Sequence, residues 1–191
     1  MLRCLEIDEM KSMYRALIKK DFPRNERRPF FSIRKLYEEG RYLCLVLEEE
    51  KQIVAYAAFI FDKAINSVLL DYFAVDKNQR GSGIGSRFIS LVREYWDGKS
   101  GIILECENPD SAKDEDEKAI RKRRIDFYLR GGAETTAVHW RMFGVSYDIL
   151  WMQTNPVSGI VDIASDLSGL YSLSFPPIIK KLFTRVTGSN A

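Results

Sequence analysis

The chain contains little histidine and little cysteine, and this scarcity limits the chemistry that its sites can perform. His139 is the only histidine among 191 residues, so a metal site rich in histidine is excluded. The three cysteines, Cys4, Cys44 and Cys106, are widely separated and do not have the spacing of metal ligands. An odd, scattered set of this kind predicts buried free thiols in a reducing cytoplasm, and we expect no metal.

The sequence also lacks a long apolar run and a strong net charge. No stretch is apolar enough over the length of a membrane span, and the first residues lack the apolar core of a signal peptide. The formal net charge is only +2, so the composition does not indicate a nucleic-acid partner. We therefore expect a cytoplasmic protein with neither nucleic acid nor membrane as its partner.

A glycine-rich turn follows an apolar strand pattern at 68–75 and precedes an amphipathic pattern at 86–96. Glycines allow successive backbone N–H groups to converge on an anion, because no Cβ blocks the approach. The following helix adds its unpaired first-turn N–H groups and the positive end of its dipole. The pattern predicts a pyrophosphate site. Its predicted residues are Arg80, Gly81, Ser82, Gly83, Ile84, Gly85 and Ser86.

The spacing of these glycines narrows the choice of ligand. The turn reads G-x-G-x-G, whereas a dinucleotide-binding turn requires G-x-G-x-x-G. The Gly-Lys-Ser/Thr of a Walker loop is also absent. A tight turn that binds nothing stays open as the alternative.

Hydrophobic periodicity predicts alternating strands and helices in one α/β domain. The predicted strands are 2–7, 42–48, 52–61, 68–75, 102–107, 137–145 and 147–152. The predicted helices are 10–18, 32–39, 86–96, one that ends at Gly131, 165–173 and 178–186. Short connections predict an antiparallel meander for the early strands, and the strand–glycine turn–helix–strand order predicts a parallel crossover pair.

The segment 114–124 carries an acidic block followed by a basic block. Acid at the start and base at the end of a segment favour a helix, because both signs complement its dipole. We interpret the segment as a solvated helix. An RNA-binding patch is the alternative, but the neighbouring acidic block weighs against it.

Arg80 to Gly85 reads R-x-x-G-x-G, which resembles the signature of the GNAT acyltransferase superfamily. The order of predicted elements and the run Phe127-Tyr128-Leu129-Arg130-Gly131-Gly132 resemble the same family, as does the segment 22–29. The resemblance covers about residues 1–153. It implies an α/β fold with a mixed central sheet flanked by helices, antiparallel in its first strands and with splayed parallel fourth and fifth strands. We expect residues 154–191 to form a C-terminal extension packed on that domain.

The resemblance also implies roles for particular residues. The loop would hold the pyrophosphate of acetyl-coenzyme A, and a bulge in the fourth strand would offer N–H groups of Phe73, Ala74 and Val75 to the thioester carbonyl. Tyr128 matches the family's tyrosine beside the thioester sulfur and would protonate the leaving thiolate. The family's usual asparagine two turns earlier is Arg121 here, so that contact is not expected.

Direct attack by an amine requires a base, because an ammonium has no free electron pair. The candidates are Asp71, Glu105 and Glu107, each of which would otherwise be a solvated carboxylate at the edge of a strand. The resemblance therefore implies an N-acetyltransferase that acts on a primary amine of a small molecule or peptide. A non-catalytic acyl-coenzyme A sensor on the same fold is the alternative. Acceptor binding is expected at 22–30, with Glu26 and Arg27, and at 138–147; a homodimer is also left open.

Overall fold

The structure is a computed structural model that describes residues 1–142, 144–155, 161–174 and the backbone of 183–186. The chain forms two compact units, Met1–Lys63 with Leu70–Val92 and Ala64–Leu69 with Arg93–Ala191. The strands are β1 (Leu2–Cys4), β2 (Tyr42–Glu49), β3 (Gln52–Ile60), β4 (Ser67–Val75), β5 (Gly101–Glu107), β6 (Glu134–Met142), β7 (Val145–Gln153) and β8 (Phe183–Val186). The helices are α1 (Ile7–Met13), α2 (Lys19–Asp21), α3 (Phe30–Glu38), α4 (Ile84–Tyr95), α5 (Glu115–Arg130) and α6 (Ile163–Ser174).

The strands form one mixed sheet in the order β1-β2-β3-β4-β5-β7-β6-β8. The predicted meander strands at 42–48, 52–61 and 68–75 are β2, β3 and β4, which are neighbours in the sheet, and β2 pairs antiparallel with both β3 and β1. β4 and β5 pair in parallel through three residue pairs, from Ser67 opposite Gly101 to Leu69 opposite Ile103. The mixed α/β fold and the parallel crossover predicted from the sequence are therefore confirmed.

In the first unit, two helical segments cover apolar strands. Glu6 and Glu9 form a capping box that starts α1, which continues through a π-helical turn at Tyr14–Ile18 into α2. Met10 and Met13 of α1 are buried, as are Ile33 and Leu36 of α3. Met10, Met13 and Ile33 line a small pocket with Tyr42 and Cys44 of β2 and Ala58 of β3.

The second unit is built around β5 and β7, which pair along their whole length from Gly101 opposite Gln153 to Glu107 opposite Tyr147. α5 begins at Asp114, whose side chain accepts a hydrogen bond from the Glu117 N–H and so caps the helix. α6 buries Leu167 and Leu170 completely. Most of the charged side chains of 114–124 are exposed, as a solvated helix requires, but Arg121 is buried.

Three predicted elements differ from the structure. The strand predicted at 137–145 spans Glu134–Met142, and Val145 begins β7. β1 ends at Cys4 rather than at residue 7, because the Glu6 cap starts α1 at Ile7. The predicted helix at 178–186 is wrong in its described part: Phe183–Val186 is a strand that pairs antiparallel with β6. The start of that prediction, at 178–182, lies outside the described residues. None of the described helices is long and apolar enough to span a membrane.

Candidate active site

The glycine turn lies in the first unit, between the end of β4 and the start of α4. Asp76 accepts a hydrogen bond from the Asn78 N–H at 2.8 Å and begins a short 3-10 turn at Lys77–Gln79. Gly81 and Gly83 then adopt φ angles of +82° and +86°. These angles are readily available only to glycine, so both residues are needed for the path of the loop.

Six successive backbone N–H groups of this loop, from Gly81 to Ser86, donate no hydrogen bond within the part of the chain that the structure describes. The first intrahelical bond of α4 comes one residue later, from the Arg87 N–H to the Gly83 carbonyl at 3.0 Å. A Cβ added at Gly81 or Gly83 would meet nothing within 4 Å, so the surface beside the loop is open. Unpaired N–H groups at the start of a 12-residue helix fit a pyrophosphate.

The loop is tied firmly to the elements on either side of it. α4 buries Ile84, Phe88 and Ile89, and the Phe88 ring stacks on Phe73 of β4 with a centroid distance of 5.5 Å. The Arg80 Nε donates to the Val75 carbonyl at 3.2 Å. The predicted loop residues and Phe73, Ala74 and Val75 thus belong to one compact unit. The bulge and the carbonyl contact expected at Phe73–Val75 stay predictions.

Asp71, the first candidate base, is a member of a buried network in the same unit. The Arg28 side chain donates to both of its carboxylate oxygens at 3.1–3.3 Å, and the Tyr42 hydroxyl donates at 2.8 Å. Burial opposes the charge on Arg28, but Asp71 outweighs it and raises the arginine's pKa. Burial, followed by the charge of Asp71, raises the pKa of Tyr42. Asp71 thus serves as the counter-ion of the buried Arg28.

Glu105, on β5 in the second unit, has a different kind of partner. Its carboxylate accepts a hydrogen bond from the Tyr171 hydroxyl of α6. The Tyr171 ring stacks on the Trp140 indole, with centroids 5.8 Å apart and planes inclined by 16°. Glu105 therefore lies beside the aromatic pair of Tyr171 and Trp140.

Glu107 lies at the end of β5 and forms an ion pair with Arg121 of α5, with 3.1 Å between Oε2 and Nε. The guanidinium is buried and also bonds the Glu117 carboxylate and the Asn108 carbonyl, at 3.0 Å and 2.7 Å. Arg121 stands where the family that this sequence resembles usually has an asparagine. It binds Glu107, the last residue of β5, through the carboxylate and Asn108, the next residue, through the carbonyl.

Tyr128 is buried on α5, and burial, with a smaller contribution from Cys106, raises its pKa. Burial likewise raises the pKa of the Cys106 thiol to about 12. A tyrosine of this kind keeps its proton at neutral pH, which is the state that a proton donor to a thiolate requires.

Side chains alternate along β5, so Glu105 and Cys106 point to opposite faces of the strand. Glu105 meets α6 through Tyr171, whereas Cys106 interacts with Tyr128 of α5. The structure thus brings Tyr128 and Cys106 together, and it places Glu105 with Tyr171 and Trp140 on the other face.

The predicted acceptor residues lie in the turn between α2 and α3. Glu26 ends a short 3-10 turn at Arg24–Glu26 and is exposed. The buried Nε atom of Arg27 has no hydrogen-bond acceptor among the residues that the structure describes. Within the same described residues there is no group of three or more histidine, cysteine, aspartate or glutamate side chains placed to hold a metal.

Sequence reasoning missed two partners of the predicted site. Arg28 lies within the predicted acceptor segment, but nothing in the spacing indicated that it would pair with Asp71, which is 43 positions away. Tyr171 lies in the helix predicted at 165–173, outside the resembling region. An aromatic residue among the serines of this helix was the only signal.

Comparison with known proteins gives this geometry a context. Residues 40–132 match the family model described as an acetyltransferase (GNAT) domain. A solved protein of Bacteroides thetaiotaomicron, assigned to the GNAT acetyltransferases, is 18% identical with a TM-score of 0.64; the alignment covers 89% of this chain and 93% of that one. No curated protein is significantly similar in sequence.

Two further solved structures share the fold. The ribosomal-protein-S18-alanine N-acetyltransferase of Escherichia coli is 15% identical with a TM-score of 0.59, over 84% of this chain and 97% of that one. A variant of spermidine N-acetyltransferase from Vibrio cholerae is 12% identical with a TM-score of 0.58, over 81% and 95%. At these identities the likeness concerns the fold.

Proposed function

This chain carries an acetyltransferase domain of the GNAT family and is an acyltransferase, and from that premise we propose that it transfers an acetyl group from acetyl-coenzyme A to a primary amine. The observation that carries the proposal is the run of six N–H groups, Gly81 to Ser86, at the start of α4. These groups and the helix dipole would hold the pyrophosphate. Acetyl-coenzyme A would supply the acyl group as a thioester.

Two side chains would move the protons. Attack by the amine nitrogen on the acyl carbon forms an amide, and the nitrogen loses a proton that we assign to Glu105. Glu105 is preferred because it lies inside β5, whereas Glu107 ends that strand and Asp71 is held by the buried Arg28. The displaced thiolate takes a proton, which we assign to Tyr128. A thiol has an ordinary pKa of about 8.5, so a weak acid suffices.

The expected domain division enters as part of this proposal. We assign residues 1–153 to the acyltransferase domain and 154–191 to an extension packed on it. Contacts of α6 support this: Asp166 accepts from the Ser67 hydroxyl at 2.5 Å, and Tyr171 bonds Glu105. The cytoplasmic location and the homodimer stay predictions.

The acceptor is an amine of unassigned structure in this proposal. One solved neighbour is named for spermidine and another for the alanine of a ribosomal protein, so a shared fold serves both a small polyamine and a protein terminus. Neither acceptor is transferred to this chain.

A non-catalytic acyl-coenzyme A sensor is the second candidate. The observation that favours it is that all three candidate carboxylates already have partners within their own units. The same loop would hold the ligand in both cases, so binding alone does not separate them.

The test measures binding and turnover side by side. Calorimetry and the melting temperature report coenzyme A binding, because a ligand of the folded state raises the melting temperature. Release of free thiol from acetyl-coenzyme A over a panel of amines reports transfer. We expect both. Binding without any amine-dependent thiol release would favour the sensor, and absence of binding would overturn the proposal.

A further inference from the structure

Positive charge is concentrated in one segment of the first unit. Residues 11–35 contain nine basic and two acidic side chains, a net charge of +7, whereas the remaining 20 basic and 25 acidic side chains sum to −5. The small net charge of the chain therefore conceals a strong asymmetry. We call the cations of this segment other than Arg28 the basic face. Its members are Lys11, Arg15, Lys19, Lys20, Arg24, Arg27, Arg34 and Lys35. All are exposed except Lys11 and Arg27, which are half-buried.

The cations of the basic face form few ion pairs. Apart from a 3.9 Å contact between the exposed Lys35 and Glu39, none of its members has an ion pair with any residue that the structure describes. Elsewhere in the same unit, Arg3 and Arg41 each pair with two carboxylates. Uncompensated charge on a surface attracts a partner of opposite sign.

The basic face extends over several helical segments. Lys11 to Lys20 lie on a continuous helical run from α1 through the π-helical turn to α2, which is about 20 Å long. Arg34 and Lys35 lie on α3, which packs beside α1; the Tyr14 and Phe30 rings of these segments are 5.4 Å apart. Cations spread this far do not converge on one small anion, and they suit an extended polyanion.

The aromatic residue at the start of α3 narrows the chemistry of the partner. Phe31 is 77% exposed beside these cations. A large exposed aromatic ring bordered by charge is typical of protein-binding surfaces. The same segment contains Glu26 and Arg27, where acceptor binding is predicted.

From this charge and this ring we propose that the acceptor is an acidic polypeptide, docked on the basic face so that it presents an amine for acetylation. The proposal rests on the transferase function proposed above and names its substrate class. Docking adds no bond-making step; it raises the local concentration of the amine and the rate of encounter.

The experiment compares two charge reversals of equal size. Arg15→Glu with Lys19→Glu alters the basic face, and Lys122→Glu with Arg123→Glu alters exposed cations of α5 as the matched control. Acceptors are peptides of equal length with a free α-amine whose other residues are glutamate, glutamine or arginine. Free glutamate serves as the small anionic amine.

We expect wild-type kcat/KM to be at least about tenfold higher for the glutamate peptide than for the glutamine peptide, and to fall as salt rises. The basic-face variant should lose roughly tenfold, mainly in KM, while the control keeps the wild-type value. Equal use of the peptides, a loss shared by both variants, or free glutamate matching the peptide would overturn the proposal.

Binding measurements distinguish the docking proposal from the transferase proposal. Anisotropy of a labelled glutamate peptide tests the basic face without turnover, and calorimetry with coenzyme A tests the loop. Peptide binding that only the basic-face variant loses supports docking even if no amine is acetylated. Absence of peptide binding, preferential binding of a single-stranded RNA, or weakened coenzyme A binding in the basic-face variant would each overturn it. Absence of coenzyme A binding would overturn the transferase function instead.

Discussion

The glycine loop and the acid–base residues satisfy opposite physical requirements. The loop offers the backbone N–H groups of Gly81 to Ser86, which donate no hydrogen bond within the described residues. Tyr128, Glu105 and Glu107 offer side chains whose state is set by burial and by neighbours. Main-chain recognition needs only a local path of the backbone, whereas acid–base chemistry needs residues that the fold brings together from distant positions.

The largest effect is expected from a substitution that changes the backbone conformation of the glycine loop. Gly83→Val should abolish coenzyme A binding, because a β-branched residue is strained at φ +86° and its side chain would project where the ligand approaches. Loss of two charge-assisted hydrogen bonds is worth about 4 kcal/mol, roughly a thousandfold in affinity. Calorimetry measures it.

Gly40→Val is the matched control, since Gly40 has φ +68° and open surroundings outside the loop. It should lose stability but keep affinity. Equal affinity in Gly83→Val and the wild type would remove the central argument.

Tyr128→Phe should reduce kcat by about 10²-fold with little change in coenzyme A affinity, because only the proton donor is lost. Since the pKa of Tyr128 is raised, its ionisation should cause no decline in wild-type activity below about pH 10. Acetylation should instead rise with pH as the amine loses its proton. Tyr95→Phe, at a partly exposed ring on α4, is the control. An unchanged rate with chemistry limiting would assign Tyr128 to packing.

The amide variants of the candidate bases should separate catalysis from stability. Glu105→Gln should reduce kcat by about 10²-fold with an unchanged melting temperature. Asp71→Asn should instead destabilise the fold by about 3 kcal/mol, because the buried Arg28 charge loses its counter-ion. Glu107→Gln should behave like Asp71→Asn on a smaller scale. Full activity of all three amides across the pH range would show that another group or water takes the proton.

Tyr171→Phe should shift the acidic limb of the pH–rate profile upward. The hydroxyl donates to the carboxylate of Glu105 and so stabilises its charged form. The ring and its stacking on Trp140 stay in place, so the melting temperature should change little. A lower rate with an unmoved profile would mean that Tyr171 is purely structural.

The smallest effect concerns the thiols. Cys4 is exposed, whereas Cys44 and Cys106 are buried. Burial raises the pKa of Cys106 to about 12, so it carries almost no reactive thiolate at neutral pH. Iodoacetamide on the native protein should therefore modify Cys4 alone, as peptide mass mapping would show. Rapid modification of Cys106 would contradict the burial of the α5 face.

The difference between the two regions also explains what could be predicted from the sequence. The loop and its helix were predictable because the glycines, the strand before them and the amphipathic pattern after them are contiguous. Partners such as Arg28 for Asp71, or Tyr171 for Glu105, depend on which face each strand residue takes and on elements far along the chain. The strand at Phe183–Val186 was predicted as a helix because periodicity does not distinguish helix from strand in a short segment. Its pairing with β6, which makes it a strand, is not visible in the sequence.

The position of α6 carries an evolutionary consequence. Gly169 lies so close to Ile65 that an added Cβ would stand 2.8 Å from its Cδ1, and Tyr171, two residues later, bonds Glu105. The family match ends at residue 132, before this helix begins. We expect lineages that retain α6 to change Gly169 with Ile65 and Tyr171 with Glu105. In relatives without this helix, we expect the carboxylate at the position of Glu105 to have a different hydrogen-bond donor.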